Sequence, residues 1–293
     1  MPSNSNNRHI TFVECPRDAM QGWSYPISTD LKVQYLRTLL AVGFPVLDFG
    51  SFVSARAIPQ MADTADVLQR LDYKNLDTST KLLSIVANLR GAQTAVQYDE
   101  IHYLGFPFSI SETFQLRNTN STIEQSLERV RQIQQCCQDH GKELVIYLSM
   151  GFGNPYGDPY NTGILQKWAD QMAEIGITTL SLADTVGLAT AEEVHVSLSA
   201  LIQQYPSISI GAHLHSTKAN TQVKLAAALE AGCRRFDGAL KGIGGCPMAQ
   251  NELVGNMDTE LMLHYFKGHS YYTPIDETAL QQASLMAGEV FLQ

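Results

Sequence analysis

Short apolar runs alternate along the chain with longer stretches in which hydrophobic residues recur every three to four positions. The short runs have the length and β-branched content of buried strands, whereas the longer period is typical of amphipathic helices. The pattern predicts eight strands, at Ile10–Cys15, Pro45–Gly50, Leu82–Ala87, Glu100–Gly105, Glu143–Ser149, Thr178–Asp184, Ser207–His215 and Arg235–Leu240. The helices predicted between them include Asp30–Ala41, Ile58–Leu71, Thr122–His140, Thr162–Ile175, Ala191–Tyr205 and Ala219–Ala231.

Several of these helices have recognisable ends. The segments Ser121–Glu124 and Thr190–Glu193 have the sequence of capping boxes, in which a hydroxyl and an acidic side chain satisfy the first amide groups of a helix. Gly141, Gly176 and Gly232 stand where a helix ends and the backbone needs a residue that tolerates a positive φ.

Strands that alternate with helices are joined by right-handed crossovers and form a parallel sheet. Eight such units favour a closed (β/α)8 barrel, the TIM barrel, over an open doubly wound sheet, because no G-x-G-x-x-G follows the first strand. Beyond Leu240 we predict a last barrel helix at Gln250–Phe266 and an additional C-terminal helix at Glu277–Leu292. The fold class is therefore α/β, with residues 1–293 as one TIM-barrel domain and residues 267–293 as its C-terminal helical extension.

The 293 residues include 20 Lys+Arg and 29 Asp+Glu, which gives a formal net charge of −9. Neither nucleic acid nor a membrane is expected as a partner, because the chain has no basic run and no long apolar segment. The polar start of the chain favours a soluble, cytoplasmic protein. The five cysteines are scattered and include no C-x-x-C pair, so we expect free thiols rather than disulfides or a structural zinc site.

Unusual polar residues gather at the predicted strand ends, where TIM barrels carry their active sites. They are Pro16-Arg17-Asp18 after strand one, Asp48 at strand two, Asp184 at strand six, His213-Leu214-His215 at strand seven and Gly242-Ile-Gly-Gly-Cys246-Pro247 after strand eight.

His213 and His215 lie two residues apart, so on a strand their side chains point to the same face. With Asp18 at another strand end, they offer one carboxylate and two imidazoles to a divalent metal, Mg²⁺ or Mn²⁺, with Zn²⁺ also compatible. The alternative is that they are two polar histidines whose nitrogens are satisfied locally.

Arg17 beside such a metal would suit a reaction that forms an enolate, because a fixed cation stabilises the negative charge that develops on oxygen. The alternative for Arg17 is a surface ion pair of little energetic value. Asp48 and Asp184 are candidate catalytic residues that would hold the metal ligands in place, or else ordinary polar residues at strand ends.

Cys246 lies in a glycine-rich loop that can move over a substrate. A thiol there can act as a general acid or base if nearby positive charge lowers its pKa. The loop lacks the Lys-Ser/Thr of a P-loop, so phosphate binding is weakly supported.

A set of short motifs occurs in one order along nearly the whole chain. They are Pro16-Arg17-Asp18-Ala-Met-Gln21, Ser51-Phe-Val-Ser54, Pro59-Gln-Met61, Ser111-Glu112 with Phe114, Asn118 and Asn120, Asp184-Thr-Val-Gly187, His213-Leu-His215 and Gly242-Ile-Gly-Gly-Cys-Pro-Met-Ala249. In order and spacing they resemble motifs of the 3-hydroxy-3-methylglutaryl-CoA (HMG-CoA) lyase family, of the DRE-TIM metallolyase group: P-R-D-G-L-Q, S-F-V-S, P-Q-M, S-E-x-F-x-x-x-N-x-N, D-T-I-G, H-C-H and G-L-G-G-C-P-Y-A.

The resemblance implies a TIM barrel that performs a divalent-metal-dependent retro-Claisen cleavage of HMG-CoA to acetyl-CoA and acetoacetate. It implies four metal ligands, Asp18, His213, His215 and Asn256. It also implies that Arg17 stabilises the thioester enolate, that Cys246 delivers a proton to this enolate, and that the protein is a homodimer.

The segment Asn88-Leu-Arg90-Gly91 resembles the N-L-K-G of the same family. This similarity implies Asn88 and Arg90 as candidate residues for binding the acyl-CoA, with Arg90 meeting a CoA phosphate. The alternative for Arg90 is a solvated arginine at a helix start.

The chain departs from the family at several positions of the expected site, including the loss of a glycine at Ala19 and one extra residue between Cys246 and Asn256. Three further departures change an acidic residue of the family. Asp48 replaces a Glu, Trp23 replaces an acid, and Ser216 replaces the Asp that follows H-C-H. Two rival hypotheses therefore stay open: a related aldolase or Claisen-type synthase that uses the same frame on another acid, and a non-catalytic paralogue.

Overall fold

The computed structural model describes residues 8–244 and 254–291, and it shows a closed barrel of eight parallel strands. The strands follow chain order around the barrel, and the eighth pairs with the first. They are β1 (Thr11–Glu14), β2 (Val46–Phe52), β3 (Lys81–Val86), β4 (Ile101–Ser109), β5 (Glu143–Ser149), β6 (Thr179–Ala183), β7 (Ser209–His213) and β8 (Arg235–Gly238). The predicted TIM barrel is confirmed.

Helices follow the strands and cover the outside of the barrel. Within the described residues they are α1 (Pro16–Gln21), α2 (Thr29–Val42), α3 (Thr64–Leu71), α4 (Leu89–Ala95), α5 (Glu112–Thr119), α6 (Ile123–Asp139), α7 (Thr162–Glu174), α8 (Ala191–Gln204), α9 (Thr221–Glu230), α10 (Thr259–Gly268) and α11 (Glu277–Phe291).

Alternation along the strands separates two hydrophobic cores. Every second side chain points into the barrel, where Val13, Val46 and Val145 form part of a small inner cluster. The intervening side chains, such as Phe12 and Leu47, join the large core between the sheet and the helices. The inner cluster fills the interior of the barrel between the strands.

Two predicted helices begin later than the periodicity indicates. Ile58–Leu71 is divided into a 3-10 turn at Pro59–Met61 and helix α3. The part of Gln250–Phe266 that the structure describes becomes helical only at Thr259, because the Asp258 carboxylate caps the helix by accepting from the amide nitrogens of Glu260 and Leu261. In both segments the hydrophobic periodicity begins several residues before the helix itself does.

The helix-end predictions are confirmed in part. Thr190–Glu193 is a capping box, and Gly141, Gly176 and Gly232 have φ values of 65°, 86° and 96°. The box predicted at Ser121 was wrong by one residue, because Thr122 and Gln125 form it. The Ser121 hydroxyl instead accepts hydrogen bonds from other side chains, among them that of Arg129 at 3.0 Å.

The additional C-terminal helix is present as α11, which packs against α2. Trp23 stacks edge-on against Phe291 of this helix, with ring centroids 5.2 Å apart. The tryptophan that replaces an acid of the family thus joins the segment after α1 to the C-terminal helix. Within the two described ranges, no helix combines the length and apolar character needed to cross a bilayer.

Glu14 is a fully buried acid that ties β1 to the segment after β8. Its side chain accepts hydrogen bonds from the Leu240 amide at 2.9 Å and from the Thr259 hydroxyl at 2.6 Å. Burial raises the pKa of Glu14 to about 8, although these two hydrogen bonds oppose the rise. The folded protein therefore keeps a proton that the unfolded chain releases above its ordinary pKa of 4.5.

We expect Glu14 to make stability fall as the pH rises through this interval, since the native state binds the additional proton. Glu14→Gln removes the titration and keeps a hydrogen-bonding side chain. Its free energy of unfolding should exceed that of the wild type by roughly 1–3 kcal/mol near about pH 9 and should differ little near about pH 5. Urea unfolding across this range measures the difference. Glu143→Gln, at an exposed strand position, should show no such trend, and a gap for Glu14→Gln that is constant with pH would contradict the account.

Candidate metal and catalytic site

Helix α1 places Arg17 and Asp18 at the C-terminal mouth of the barrel. It begins at Pro16, directly after β1, where the missing proline N–H costs no helical hydrogen bond. Arg17 and Asp18 are each only 7% exposed. Two charged side chains are therefore held inside the mouth rather than in solvent.

The Arg17 guanidinium lies between two carboxylates. Its Nη1 donates to Asp18 Oδ1 at 2.9 Å, and its Nε donates to Asp48 Oδ2 at 3.0 Å. Nη2 also donates to Asp48, so this contact is bidentate. Although Asp48 is one methylene shorter than the Glu of the family, it reaches Arg17 directly.

These contacts affect the charge states of the two carboxyl groups. Burial would raise the pKa of Asp18, but the charges of Arg17, His213 and His215 lower it to about 2. Burial raises the pKa of Asp48 to about 6, even though Arg17 opposes this shift. The Asp18 carboxyl group is therefore ionised at neutral pH.

His213 and His215 face Asp18 across the mouth, as the sequence predicted. One ligand atom from each of these three residues can be chosen so that all lie within 4.8 Å of one another. His213 Nδ1 contacts Asp237 Oδ2 at 3.1 Å, which leaves Nε2 of the same ring for a metal. The structure thus brings together the carboxylate and the two imidazoles; their role as ligands stays a prediction.

His215 has a ring nitrogen that lacks a hydrogen-bond partner among the described residues. This nitrogen, Nε2, is buried. Burial and the neighbouring His213 lower the pKa of His215 to about 4, so its ring is neutral at physiological pH. A buried neutral imidazole with a free nitrogen is the form that binds a metal ion.

Asn256 lies beside the same carboxylate. Its Nδ2 donates to Asp18 Oδ2 at 2.7 Å, and its backbone forms an isolated bridge with His215. Gln21 donates to the other oxygen of Asp18 at 2.8 Å. Arg17, Gln21 and Asn256 therefore all donate hydrogen bonds to the Asp18 carboxylate. The predicted ligand Asn256 thus lies directly beside the predicted ligand Asp18.

Asp184 is paired with a buried lysine rather than with the metal-ligand cluster. Lys224 Nζ donates to Asp184 Oδ2 at 2.7 Å and to the backbone oxygen of His215 at 2.8 Å. The other carboxylate oxygen of Asp184 accepts from the Ala189 amide at 3.1 Å. Asp184 is therefore linked through Lys224 to the segment that carries His215, and its role in the site stays a prediction.

Sequence reasoning missed three residues of this site, Asp237, Lys224 and Gln21. Asp237 lies on the inward face of β8, and its neighbour across the sheet is His213. Lys224 is a charged residue among the buried positions of α9, and this break in an apolar face was the available signal. Gln21 lies within the quoted Pro16–Gln21 motif but carried no assigned role.

Other predicted residues lie elsewhere or outside the described part. Asn88 caps helix α4 by accepting from the Gly91 amide at 3.0 Å, and Arg90 is exposed in the first turn of this helix. Ser216, which replaces an acid, shares a hydrogen bond with the Thr221 hydroxyl at 2.8 Å. Cys246 lies outside the described residues.

The described cysteines are free thiols, as expected. Cys15 forms a second group of potential metal ligands with His213 and Asp237. Burial raises the pKa of Cys15 well above its ordinary value, so the thiol stays protonated. Because a metal binds the thiolate, this group is a poorer site than the one at Asp18.

Fold and site together define the class: a TIM-barrel enzyme with one carboxylate and two imidazoles gathered at the C-terminal mouth. The HMGL-like family model matches residues 10–286. The chain therefore belongs to the HMGL-like family, and it is a carbon–carbon lyase.

Relatives and solved structures agree with this assignment. The cytoplasmic 3-hydroxy-3-methylglutaryl-CoA lyase of Danio rerio is 32% identical over 278 residues, which cover 94% of this chain and 81% of that protein. The 3-hydroxy-3-isohexenylglutaryl-CoA/hydroxymethylglutaryl-CoA lyase of Pseudomonas aeruginosa is 29% identical, covering 94% and 91%. The structure of an HMG-CoA lyase from Acinetobacter baumannii, in complex with coenzyme A and 3-methylmalate, superposes with a TM-score of 0.90 at 29% identity, covering 100% and 94%.

The buried pair of Asp184 and Lys224 yields a stability prediction. Lys224→Met leaves the Asp184 carboxylate buried without a cation and should lower the free energy of unfolding by about 3–5 kcal/mol. Adding Asp184→Asn removes the unpaired charge and should restore most of the loss. Urea unfolding measures both variants. Lys218→Met, an exposed neighbour, should stay within about 0.5 kcal/mol of the wild type, and a Lys224→Met protein of wild-type stability would refute the supporting role.

Proposed function

We propose that this lyase performs a divalent-metal-dependent retro-Claisen cleavage of HMG-CoA, or of a related 3-hydroxyacyl-CoA, to acetyl-CoA and acetoacetate. The observation that carries the proposal is the cluster of Asp18, His213 and His215 beside the buried Arg17. The names of the relatives support an acyl-CoA as the substrate class.

The residues present fit a divalent metal. His215 offers a buried nitrogen without a partner, Asp18 offers an ionised carboxylate, and His213 is oriented through its other nitrogen by Asp237. Asn256 would complete the set with its amide oxygen. A bound Mg²⁺ or Mn²⁺, with Zn²⁺ as a further option, would supply Lewis-acid polarisation of the substrate hydroxyl and carbonyl oxygens.

Arg17 would stabilise the enolate oxygen that carbon–carbon cleavage leaves on the thioester. Each terminal guanidinium nitrogen carries two hydrogens, and each donates to a carboxylate here, Nη1 to Asp18 and Nη2 to Asp48. The second hydrogen on each nitrogen would donate to the substrate oxygen. Asp48 holds the cation in place before the charge develops, which is the arrangement that lowers a barrier most effectively.

Proton delivery and CoA binding complete the proposal. Cys246 would protonate the acetyl-CoA enolate, as the family resemblance implies, and Asp184 would act through Lys224 on the His215 segment. Arg90, exposed at the start of α4, would meet a CoA phosphate, and Asn88 would order that helix start. The homodimer and the cytoplasmic location stay predictions; the curated relatives include both cytoplasmic and mitochondrial enzymes.

The test is turnover of a panel of 3-hydroxyacyl-CoA thioesters by the purified protein, with Mn²⁺ and after removal of metal by chelation. We expect acetoacetate release from HMG-CoA that depends on the metal. Arg17→Met should lower kcat by about 10²–10³-fold, because it removes the cation that faces the enolate, while Arg17→Lys should retain part of the activity.

Arg37→Met, a substitution on the outer face of α2, is the matched control and should turn over like the wild type. Mn²⁺ affinity and the circular dichroism spectrum of each variant separate loss of chemistry from loss of site or fold. Wild-type turnover by Arg17→Met would refute the role of Arg17. Cleavage of 2-oxoacid aldols in place of acyl-CoA thioesters would point to the related aldolase.

A further inference from the structure

A cavity opens at the opposite end of the barrel from Arg17 and Asp18. It has a volume of about 350 Å³ and lies at the N-terminal ends of β1, β7 and β8, beside the loop that follows α8. This volume is at the lower end of the range for small-molecule sites. The cavity shares none of its lining residues with the site described above.

Arg235 lines this cavity and is a buried cation without a counter-ion. The residue is only 5% exposed, and its Nε and Nη2 are buried with no hydrogen-bond partner among the described residues. No ion pair of the described residues includes Arg235; Asp237, two residues along the same strand, gives one oxygen to His213. The second oxygen of Asp237 is buried without a hydrogen-bond partner in the described part of the chain as well, so neither charge is paired with the other. A buried charge without a partner is unfavourable, so Arg235 would be stabilised by an acceptor bound beside it.

The neighbouring strand is built around this side chain. Gly211 pairs with Arg235 across the sheet, and a Cβ atom at Gly211 would lie 2.9 Å from Arg235 Cδ. A glycine therefore provides the space that the arginine stem occupies inside the barrel. The position of the Arg235 side chain is therefore fixed by the packing of β8 against β7.

The rest of the lining indicates which acceptor fits. Thr11 and Ser209 place hydroxyl-bearing residues beside Arg235, whereas Ile202, Pro206 and Ile208 supply apolar surface. Arg234 also lines the cavity, but its guanidinium lies over the Tyr271 ring and donates to the backbone oxygens of Leu229 and Cys233. The Arg235 guanidinium matches one carboxylate, which can accept two N–H groups. The isoleucines and the proline suit a short hydrocarbon chain better than a multiply charged phosphate.

We propose that this cavity binds a short-chain monocarboxylate, with the carboxylate paired to Arg235 and the hydrocarbon part against Ile202 and Ile208. The site is separate from the lyase centre and does not depend on the metal.

The experiment titrates the full-length protein with sodium butyrate at constant ionic strength and follows binding by calorimetry and by the shift in Tm. Butyramide, which has the same shape without the charge, is the matched ligand control. We expect saturable binding and stabilisation with butyrate and neither with butyramide. Arg235→Met keeps the stem over Gly211 and should weaken butyrate binding by at least about tenfold, because a charge-assisted hydrogen bond is lost.

Two further variants make the outcome decisive. Lys81→Met removes an exposed cation at the same end of the barrel, outside the cavity, and should bind butyrate like the wild type. Ile202→Phe fills part of the cavity without touching the charge and should also weaken binding. Because Arg235→Met leaves the metal site intact, carboxylate bound there would be unaffected. The proposal is overturned if butyrate shows no saturable binding, if Arg235→Met binds it equally well, or if phosphate binds and butyrate does not.

Discussion

The Arg17 guanidinium, buried between the carboxylates of Asp18 and Asp48, is the interaction on which the site depends. Two acids so close together inside a protein would each favour the protonated form, because burial and mutual repulsion both disfavour the charge. Arg17 removes this conflict for Asp18, whose pKa falls to about 2. An ionised carboxylate can then face His213 and His215 at neutral pH.

The hydrogen-bonded network around the mouth has a charge that matches a divalent ion. Arg17, Asp18, Asp48, His213 and Asp237 contribute three carboxylates and one guanidinium, and the Asp184–Lys224 pair beside them is neutral. Apart from the imidazoles, these groups have a net charge of −2 when Asp48 is ionised. Although burial opposes the shift, Asp237 raises the pKa of His213. A divalent cation bound at the mouth would offset this excess of negative charge, which supports a metal site in addition to the spacing of the two histidines.

The fold could be predicted from the sequence because its signals are local and periodic. Short buried strands and longer amphipathic helices alternate, which indicates a parallel barrel. Because all strands of such a barrel end at the same mouth, Asp18 and His213 are expected close together although they are distant in sequence. The sequence-based predictions were wrong where contacts between distant parts of the chain determine where a helix begins. Residues 254–258, directly before α10, are not helical because Asp258 caps the helix and Asn256 pairs with His215. Neither contact can be recognised from the spacing of hydrophobic residues in the sequence. Asp237 and Lys224 were missed for the same reason, since their partners lie on other elements.

The most direct test of the central claim is a crystal structure of the protein soaked with Mn²⁺, with data that record the anomalous scattering of the ion. The account predicts one anomalous peak at the C-terminal mouth, within coordination distance of an Asp18 oxygen, His213 Nε2 and His215 Nε2. A protein saturated with Mn²⁺ that shows no peak there, or a peak bound by other residues, would contradict it.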